Sequence, residues 1–454
     1  MYSVVRSVLS YFPILFLQVC LAVGGLATVW VNGHEIAQTD NMYIAYRWDI
    51  KKQLKEGVNT VRIGFASALD CIRNNRTNFV PPVDHLDPIG NSVRIRKQPC
   101  QFGWDWGPRL VTAGIWRDIR LEAWSRVRLE GFEVDQQHED SGSVRVAVTP
   151  KFIGRKAGLC YQVELRLEDE TVASAEGSAK EPLELMVKNP QLWWPAGQGE
   201  QPLYAVKLIA LDRDDHVIGR AQKRIGLRTL KLDRSKDEWG ESFQFVVNGR
   251  PVFAKGGNWI PADCFVARLT RSDYERDLNA AVQANMNCVR VWGGGIYESE
   301  DFYDLFDELG LMVWQDFMFS CILVPADRSF LKSVKVEAIQ QVARLRDRAC
   351  LALWCGNNEL PQLNQKFFGD RPKLKRDYEK LFHELLPPIV EQGSAGTDYW
   401  PSSEWRGVFE SGHELGEVSG DRFRRIGKQR CRFDTALTNL TYNFDRFAMF
   451  HRPA

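Results

Sequence analysis

The chain has 454 residues, enough by ordinary domain size for about three domains and more than one core. Its 59 lysines and arginines are balanced by 58 aspartates and glutamates, which argues against a nucleic-acid partner or an acidic membrane surface, both of which need a basic excess. Fifteen tryptophans make carbohydrate a ligand class to test, because an indole packs a core or stacks on a sugar ring, and ten cysteines without a CxxC pair carry no zinc-ribbon or dithiol signature and predict free, buried thiols.

In chain order, Arg6 precedes an apolar run from Val8 to Ala22, interrupted by Pro13 and Gln18. The run has the size of a signal-peptide core and is short for a membrane span, so residues 1–24 are read as a secretory leader or an altered start. Two Asn-X-Thr patterns, at Asn75 and Asn439, are candidate N-glycan acceptors and lean the same way, toward a lysosomal or extracellular destination. "ATVWVNGHEI" then runs β-branched and aromatic residues into an Asn32-Gly33 turn, a strong hairpin signal, and "LKEGVNTVRIGF" turns at Gly57 into the alternating strand Val61, Ile63, Phe65. After Trp124 a second set of short alternating strands begins with "GSVRVAVTPKF", "YQVELRLEDE" and "PLYAVKLIALD". These predict two β-sandwiches, a jelly-roll-like one over 25–124 and an immunoglobulin-like one over 125–231.

Beyond Phe245 the period changes. A short apolar run ends in "GGNW", and "SDYERDLNAAVQANM" follows with Ser272 as N-cap and Glu275 completing a capping box. "NCVRVWGGG", "SEDFYDLFDELG", "LMVWQDF", "LKSVKVEAIQQVARLRDR" and "CLALWCGNNE" continue the alternation of strand and helix. Buried parallel strands joined by helices predict a (β/α)8 barrel over 232–454; no GxGxxG follows the first strand, which disfavours a dinucleotide site. In such barrels chemistry sits at the C-terminal strand ends. That places Asn258 and Trp259, Trp292, Asp316 and the cluster Asn357, Asn358, Glu359 around one mouth. Glu359 has a plain structural reading as an acid complementing a helix N-terminus. The apolar strand before it and the amide beside it favour a proton donor, since desolvation favours a protonated carboxyl.

Several long stretches in order, "QFGWDWGP" at Gln101–Pro108, "KGGNWIPAD" at Lys255–Asp263, "RVWGGGIYE" at Arg290–Glu298 and "WCGNNE" at Trp354–Glu359, resemble the β-mannosidases of glycoside hydrolase family 2. The resemblance implies a retaining hydrolase of terminal, non-reducing β-D-mannosyl residues of oligosaccharides and glycoproteins, with no metal or organic cofactor. It makes Glu359 the general acid/base and has Asn358 bind the sugar 2-hydroxyl and the nucleophile. Asp105, flanked by Trp104 and Trp106, would reach from the first sandwich to the barrel mouth and hold sugar hydroxyls, with Asn258 and Trp292 as further subsite residues.

The pattern departs from the family at both ends. A retaining glycosidase needs a second carboxylate about 5 Å from the first, and at roughly 30 residues per βα unit the seventh strand should fall near position 450. The residues there read "NFDRFAMFHRPA"; no Glu occurs after Glu417, although "YWPSSEW" at Tyr399–Trp405 still resembles the fifth strand. The expected architecture is therefore two β-sandwiches and a barrel incomplete at its C-terminal end. The alternatives to a working hydrolase are a carbohydrate-binding remnant without the nucleophile and a chain whose unclosed barrel leaves strand edges unpaired.

Overall fold

The computed structural model describes residues 2–9, 16–21, 26–74, 89–90, 92–237 and 240–403. The first unit is a β-sandwich. One sheet orders Tyr2–Leu9, Gly57–Phe65, Ala27–Val31 and His34–Thr39, and the other orders Tyr46–Asp49, Phe16–Leu21 and Arg120–Trp124, all antiparallel. Alternate residues of Ala27–Val31 are buried and pack with Ile50 and Ile63, and the Asn32-Gly33 turn has both residues at positive φ, as a two-residue hairpin of this twist requires.

Here the leader reading is corrected in part. Tyr2–Leu9 pairs residue for residue with Gly57–Phe65, and Phe16–Leu21 lies between two other strands, so both stretches are sheet. The remaining residues of 1–24 lie outside the described residues, as do both glycan acceptors, Asn75 and Asn439. Among the described residues no helix is long and apolar enough to cross a membrane.

The second unit has seven strands. Three of them (Leu183–Val187, Val144–Gly154, Val127–His138) face four (Glu170–Ser178, Cys160–Leu167, Tyr204–Leu211, Val217–Ile225), and the valines and leucines of their inner faces close a separate core. Each such side chain removed from water contributes on the order of 1.5–3 kcal/mol. Leu230–Asp233 then pairs with Gln244–Val247, so the unit's boundary falls just before Leu230; a cut at Lys231 would pass through a strand.

The third unit begins with this small antiparallel sheet and continues as five parallel strands in sequential order: β1 (Gly256–Trp259), β2 (Cys288–Val291), β3 (Met312–Asp316), β4 (Leu351–Cys355) and β5 (Asp398–Trp400). Helices α1 (Arg271–Gln283), α2 (Glu300–Leu309) and α3 (Arg328–Leu345) connect the first four, and α4 (Leu360–Asp370) follows β4. The N-cap of α1 is Thr270, whose capping box closes on Asp273, in place of the expected Ser272 and Glu275. The first four strands are almost wholly buried on both faces, which explains their lack of polar alternation. Val289, Val313, Leu351 and Trp354 pack toward the helices, whereas Cys288, Met312, Trp314, Leu353 and Cys355 pack inward against Phe245, Val247 and Val252 of the antiparallel sheet. That plug fills the lower end, so only the C-terminal end is left for a site. Among the described residues β1 and β5 each have one neighbour, and the barrel is open between them.

Cys71, Cys100, Cys160, Cys264, Cys288, Cys321, Cys350 and Cys355 are free, and Cys100, Cys288, Cys321, Cys350 and Cys355 are buried, as their scatter predicted.

Candidate active site

Asn258, Asp316 and Asn358 meet around a residue that the sequence reading did not single out. Arg290 lies two positions after the inward-facing Cys288 and so projects into the barrel. Its Nε and Nη2 donate to Asp316 at 3.2 and 2.6 Å, Nη2 also donates to Asn358 Oδ1 at 2.8 Å, and Nη1 reaches Asn258 Oδ1 at 3.4 Å. Asp316 accepts two further bonds, from the Gly293 N–H and Trp314 Nε1, and is wholly buried. Burial works against the charge of Arg290, yet Asp316 beside it holds the guanidinium above its ordinary value. Both Asp316 oxygens are thus occupied, and its role is to fix Arg290 and the amides around it.

The loop after β4 divides its labour among three residues. Asn357 is buried; its Oδ1 accepts from the Leu360 N–H at 3.1 Å and Ser402 Oγ at 2.9 Å, and its Nδ2 donates to Pro401 O, so it caps α4 and ties the loop to the end of β5. Asn358 is also buried, with Nδ2 directed at Ser320 Oγ and Cys321 Sγ, both at 3.3 Å. One lone pair of its Oδ1 remains for a ligand. Glu359 is only half-buried and, although at the N-cap of α4, makes no side-chain capping bond. The plain capping reading therefore belongs to Asn357. Glu359 holds φ +58°, a left-handed conformation costing a non-glycine residue about 1 kcal/mol, and such strain gathers at functional sites. Its Oε2 lies 3.6 Å from Cys321 Sγ, and burial pushes the Cys321 thiol up to about 12, so it meets the carboxyl as a neutral S–H donor.

The wall of the mouth comes from two units. Trp104 and Trp106 each set an edge against Trp292, with ring centroids 4.8 and 5.7 Å apart. Trp104 and Gly107 exchange backbone hydrogen bonds, which closes a tight turn with Asp105 exposed at its tip. The Cys100 N–H donates to Gly294 O at 3.0 Å and Tyr43 OH to Gly295 O at 3.1 Å, docking this segment of the first sandwich on the β2–α2 loop. A Cβ at Gly294 would overlap the Trp292 ring at 1.8 Å, so that glycine is required for the ring to lie where it does.

The galactose-binding domain-like unit of glycosyl hydrolase 2 matches residues 17–117, and the glycosyl hydrolases family 2 unit matches 127–228. A solved β-D-mannosidase from Dictyoglomus thermophilum is 34% identical and superposes with a TM-score of 0.82 over 90% of this chain and 51% of its own. Both matched units are units of glycosyl hydrolase family 2. Curated beta-mannosidase B proteins of Aspergillus clavatus and Aspergillus fumigatus are each 35% identical over 85% of this chain, which spans about half (48%) of their length. An exo-chitosanase of Amycolatopsis orientalis, 20% identical with a TM-score of 0.64 over 88% of this chain and 44% of that one, shares the fold.

Behind the mouth lies a second carboxyl that the sequence reading passed over. Glu298 is buried and accepts from Trp259 Nε1 at 3.0 Å and Tyr274 OH at 2.9 Å, joining the end of β1 to α1. Burial outweighs these donors, and the nearby Arg117 and Arg344, and pushes its pKa up to about 7. An unfolded glutamate titrates near 4.3, so the folded state binds the extra proton between these values. This contribution to stability is complete below about pH 4 and is lost as pH rises through about 7. Glu298→Gln should remove it: the gap in unfolding free energy between wild type and variant should shift by on the order of 3 kcal/mol between pH 5 and pH 8, wild type losing ground as pH rises. Denaturant titrations of both proteins at the two pH values measure this; a constant gap would show that Glu298 is ionised throughout.

Proposed function

We propose that the chain forms the sugar-binding and acid/base portion of a retaining β-mannosidase acting on terminal, non-reducing β-D-mannosyl residues of oligosaccharides and glycoproteins. The observation that carries the reading is Glu359: a half-buried carboxyl, strained into a left-handed backbone, without a capping bond, at a barrel mouth walled by three tryptophans. In this role its carboxyl protonates the glycosidic oxygen and its carboxylate later takes a proton from water. Asn358 offers its free Oδ1 lone pair to the sugar 2-hydroxyl. Arg290 and Asp316 keep Asn358 and Asn258 in place, and Trp104, Trp106 and Trp292 exclude water beside the ring. No metal or organic cofactor enters this chemistry. A destination in the secretory route, lysosomal or extracellular, with glycans at Asn75 and Asn439, belongs to the same proposal; an endoglycosidase shift in mobility tests it.

Asp105 supplies the test of the mannose reading. A carboxylate at the tip of the Trp-flanked turn accepts from two sugar hydroxyls, each charged hydrogen bond contributing about 1.5–3 kcal/mol. In a full-length protein carrying this segment, Asp105→Ala should lower kcat/KM for an aryl β-mannoside by at least about 100-fold. The variant should also discriminate less between manno- and gluco-configured substrates. Unchanged kcat/KM would return the turn to a purely structural role.

A second reading, sugar binding without hydrolysis, is favoured by one observation. Asp316, the carboxylate that closes β3, has all its hydrogen-bonding directions filled and is closed to substrate.

A further inference from the structure

The loop after β3 makes few bonds of its own. The Phe319 N–H donates to Phe317 O and the Ile322 N–H to Ser320 O, two successive three-residue turns, and Cys321 sits at φ +60°. Such turns do not hold an irregular segment in one shape. Anchors from outside do. On one side the β4 loop and α4 bind it: the Asn358 N–H donates to Phe319 O at 3.0 Å, the Cys321 N–H to Asn358 O at 2.8 Å, Asn364 Nδ2 to Cys321 O at 2.8 Å, and Cys321 Sγ meets Glu359. The Met318 N–H donates to Tyr297 OH at 3.4 Å. On the other side is Arg96, from the first β-sandwich.

Arg96 is 5% exposed. Its Nη1 donates to Met318 O at 2.8 Å, and its guanidinium lies over the Phe319 ring at 4.0 Å. The fork is aimed by Glu337 on α3, which accepts from Arg96 Nε at 2.9 Å and Nη2 at 2.6 Å. Glu337 is itself wholly buried and also accepts from Asn41 Nδ2 and Tyr297 OH, both at 2.9 Å, so four donors saturate its two oxygens. Only a planar, always-charged fork can make the bidentate pair, reach the carbonyl and stack on the ring at once. We propose that Arg96 is a positioning residue for Glu359, holding from the neighbouring β-sandwich the β3–α3 loop against which the acid/base carboxyl rests. The first sandwich thus shapes the site by a route separate from the Trp104–Trp106 turn. The inference rests on the acid/base reading of Glu359 for its consequence, and on geometry alone for the clamp.

The test pairs the chain with the variant Arg96→Met/Glu337→Leu, which removes both buried charges together and so avoids leaving one unpaired. In the purified 454-residue protein, iodoacetamide labelling with peptide mapping reads Cys321 against Cys288 and Cys350, two buried thiols elsewhere in the barrel. The expected result is alkylation of Cys321 and amide exchange at Cys321 and Asn358 at least about tenfold faster than wild type, with Cys288 and Cys350 as protected as before. Unchanged protection of Cys321, or all three thiols loosening together, would overturn the clamp. In a full-length protein carrying this segment, the same variant should lower kcat at least about tenfold for a mannoside with a poor leaving group and leave KM unchanged. A labelling change without that loss would overturn the positioning role and leave the acid/base reading standing. That reading fails separately, if Glu359→Gln is insensitive to the leaving group.

Discussion

Glu359→Gln, in a full-length protein carrying this segment, is expected to lower the glycosylation step on an alkyl or oligosaccharide β-mannoside by about 10²–10⁴-fold. The amide keeps the shape of the side chain and its place against Cys321 but has no proton of suitable acidity to give the departing oxygen. A dinitrophenyl mannoside leaves without protonation, so its glycosylation step should fall by less than about tenfold. The two substrates therefore separate acid catalysis from binding, and pre-steady-state bursts on the activated substrate report glycosylation directly. Dissociation constants should change little, since Glu359 carries no capping bond whose loss would loosen α4. Equal loss of the glycosylation step on both substrates would contradict the proton-donor role and leave Glu359 as a binding or structural group.

The second expectation concerns the 454 residues by themselves: no measurable turnover of an aryl β-mannoside. Retention needs a nucleophilic carboxylate about 5 Å from the acid/base. Among the described residues the barrel supplies β1 to β5, and Asp316 is buried beneath Arg290. Asp434 and Asp445 lie outside the described residues. Either would also be one methylene shorter than a glutamate, and a misplacement of about 1 Å can cost about 100-fold. The assay is paired with a fluorinated mannosyl donor that traps a glycosyl-enzyme, read by intact mass. A covalent adduct mapped to any carboxylate of the chain would overturn the expectation and name the nucleophile.

What the sequence made legible depended on whether the deciding partner was near in the chain. The Asn32-Gly33 hairpin and the β/α alternation after Phe245 are local patterns, and both are present in the fold. Arg290 is the opposite case. An arginine between two valines on a short strand reads as a solvent-facing position, and only barrel curvature turns that face inward onto Asp316, Asn358 and Asn258. Ser272 and Thr270 both begin acceptable capping boxes, and the competition is settled by where α1 starts against its neighbours. Residues 2–9 and 16–21 were read differently for a related reason. An apolar run has the same composition in a leader as in a sheet, and the strands that identify it, Gly57–Phe65 and Arg120–Trp124, are far away in sequence. The two neighbouring asparagines could not be told apart by type, although one caps a helix and the other meets Arg290.

The Arg96–Glu337 clamp also sets a schedule for synthesis. The two residues are 241 positions apart, so at about 5–20 residues per second a ribosome delivers Arg96 some 12–48 s before its partner. A guanidinium cannot remain buried without its counter-charge, and the segment around Ile95 to Gln98 must therefore stay hydrated while the second sandwich and the first three barrel strands emerge. The first sandwich can pair its strands early, yet its barrel-facing loop reaches its final place only after α3 has been made. A nascent chain stalled before Glu337 leaves the exit tunnel should expose Met42 and Tyr43, whose buried neighbours belong to the barrel, to chaperones and proteases, although the strands of that sandwich are already present.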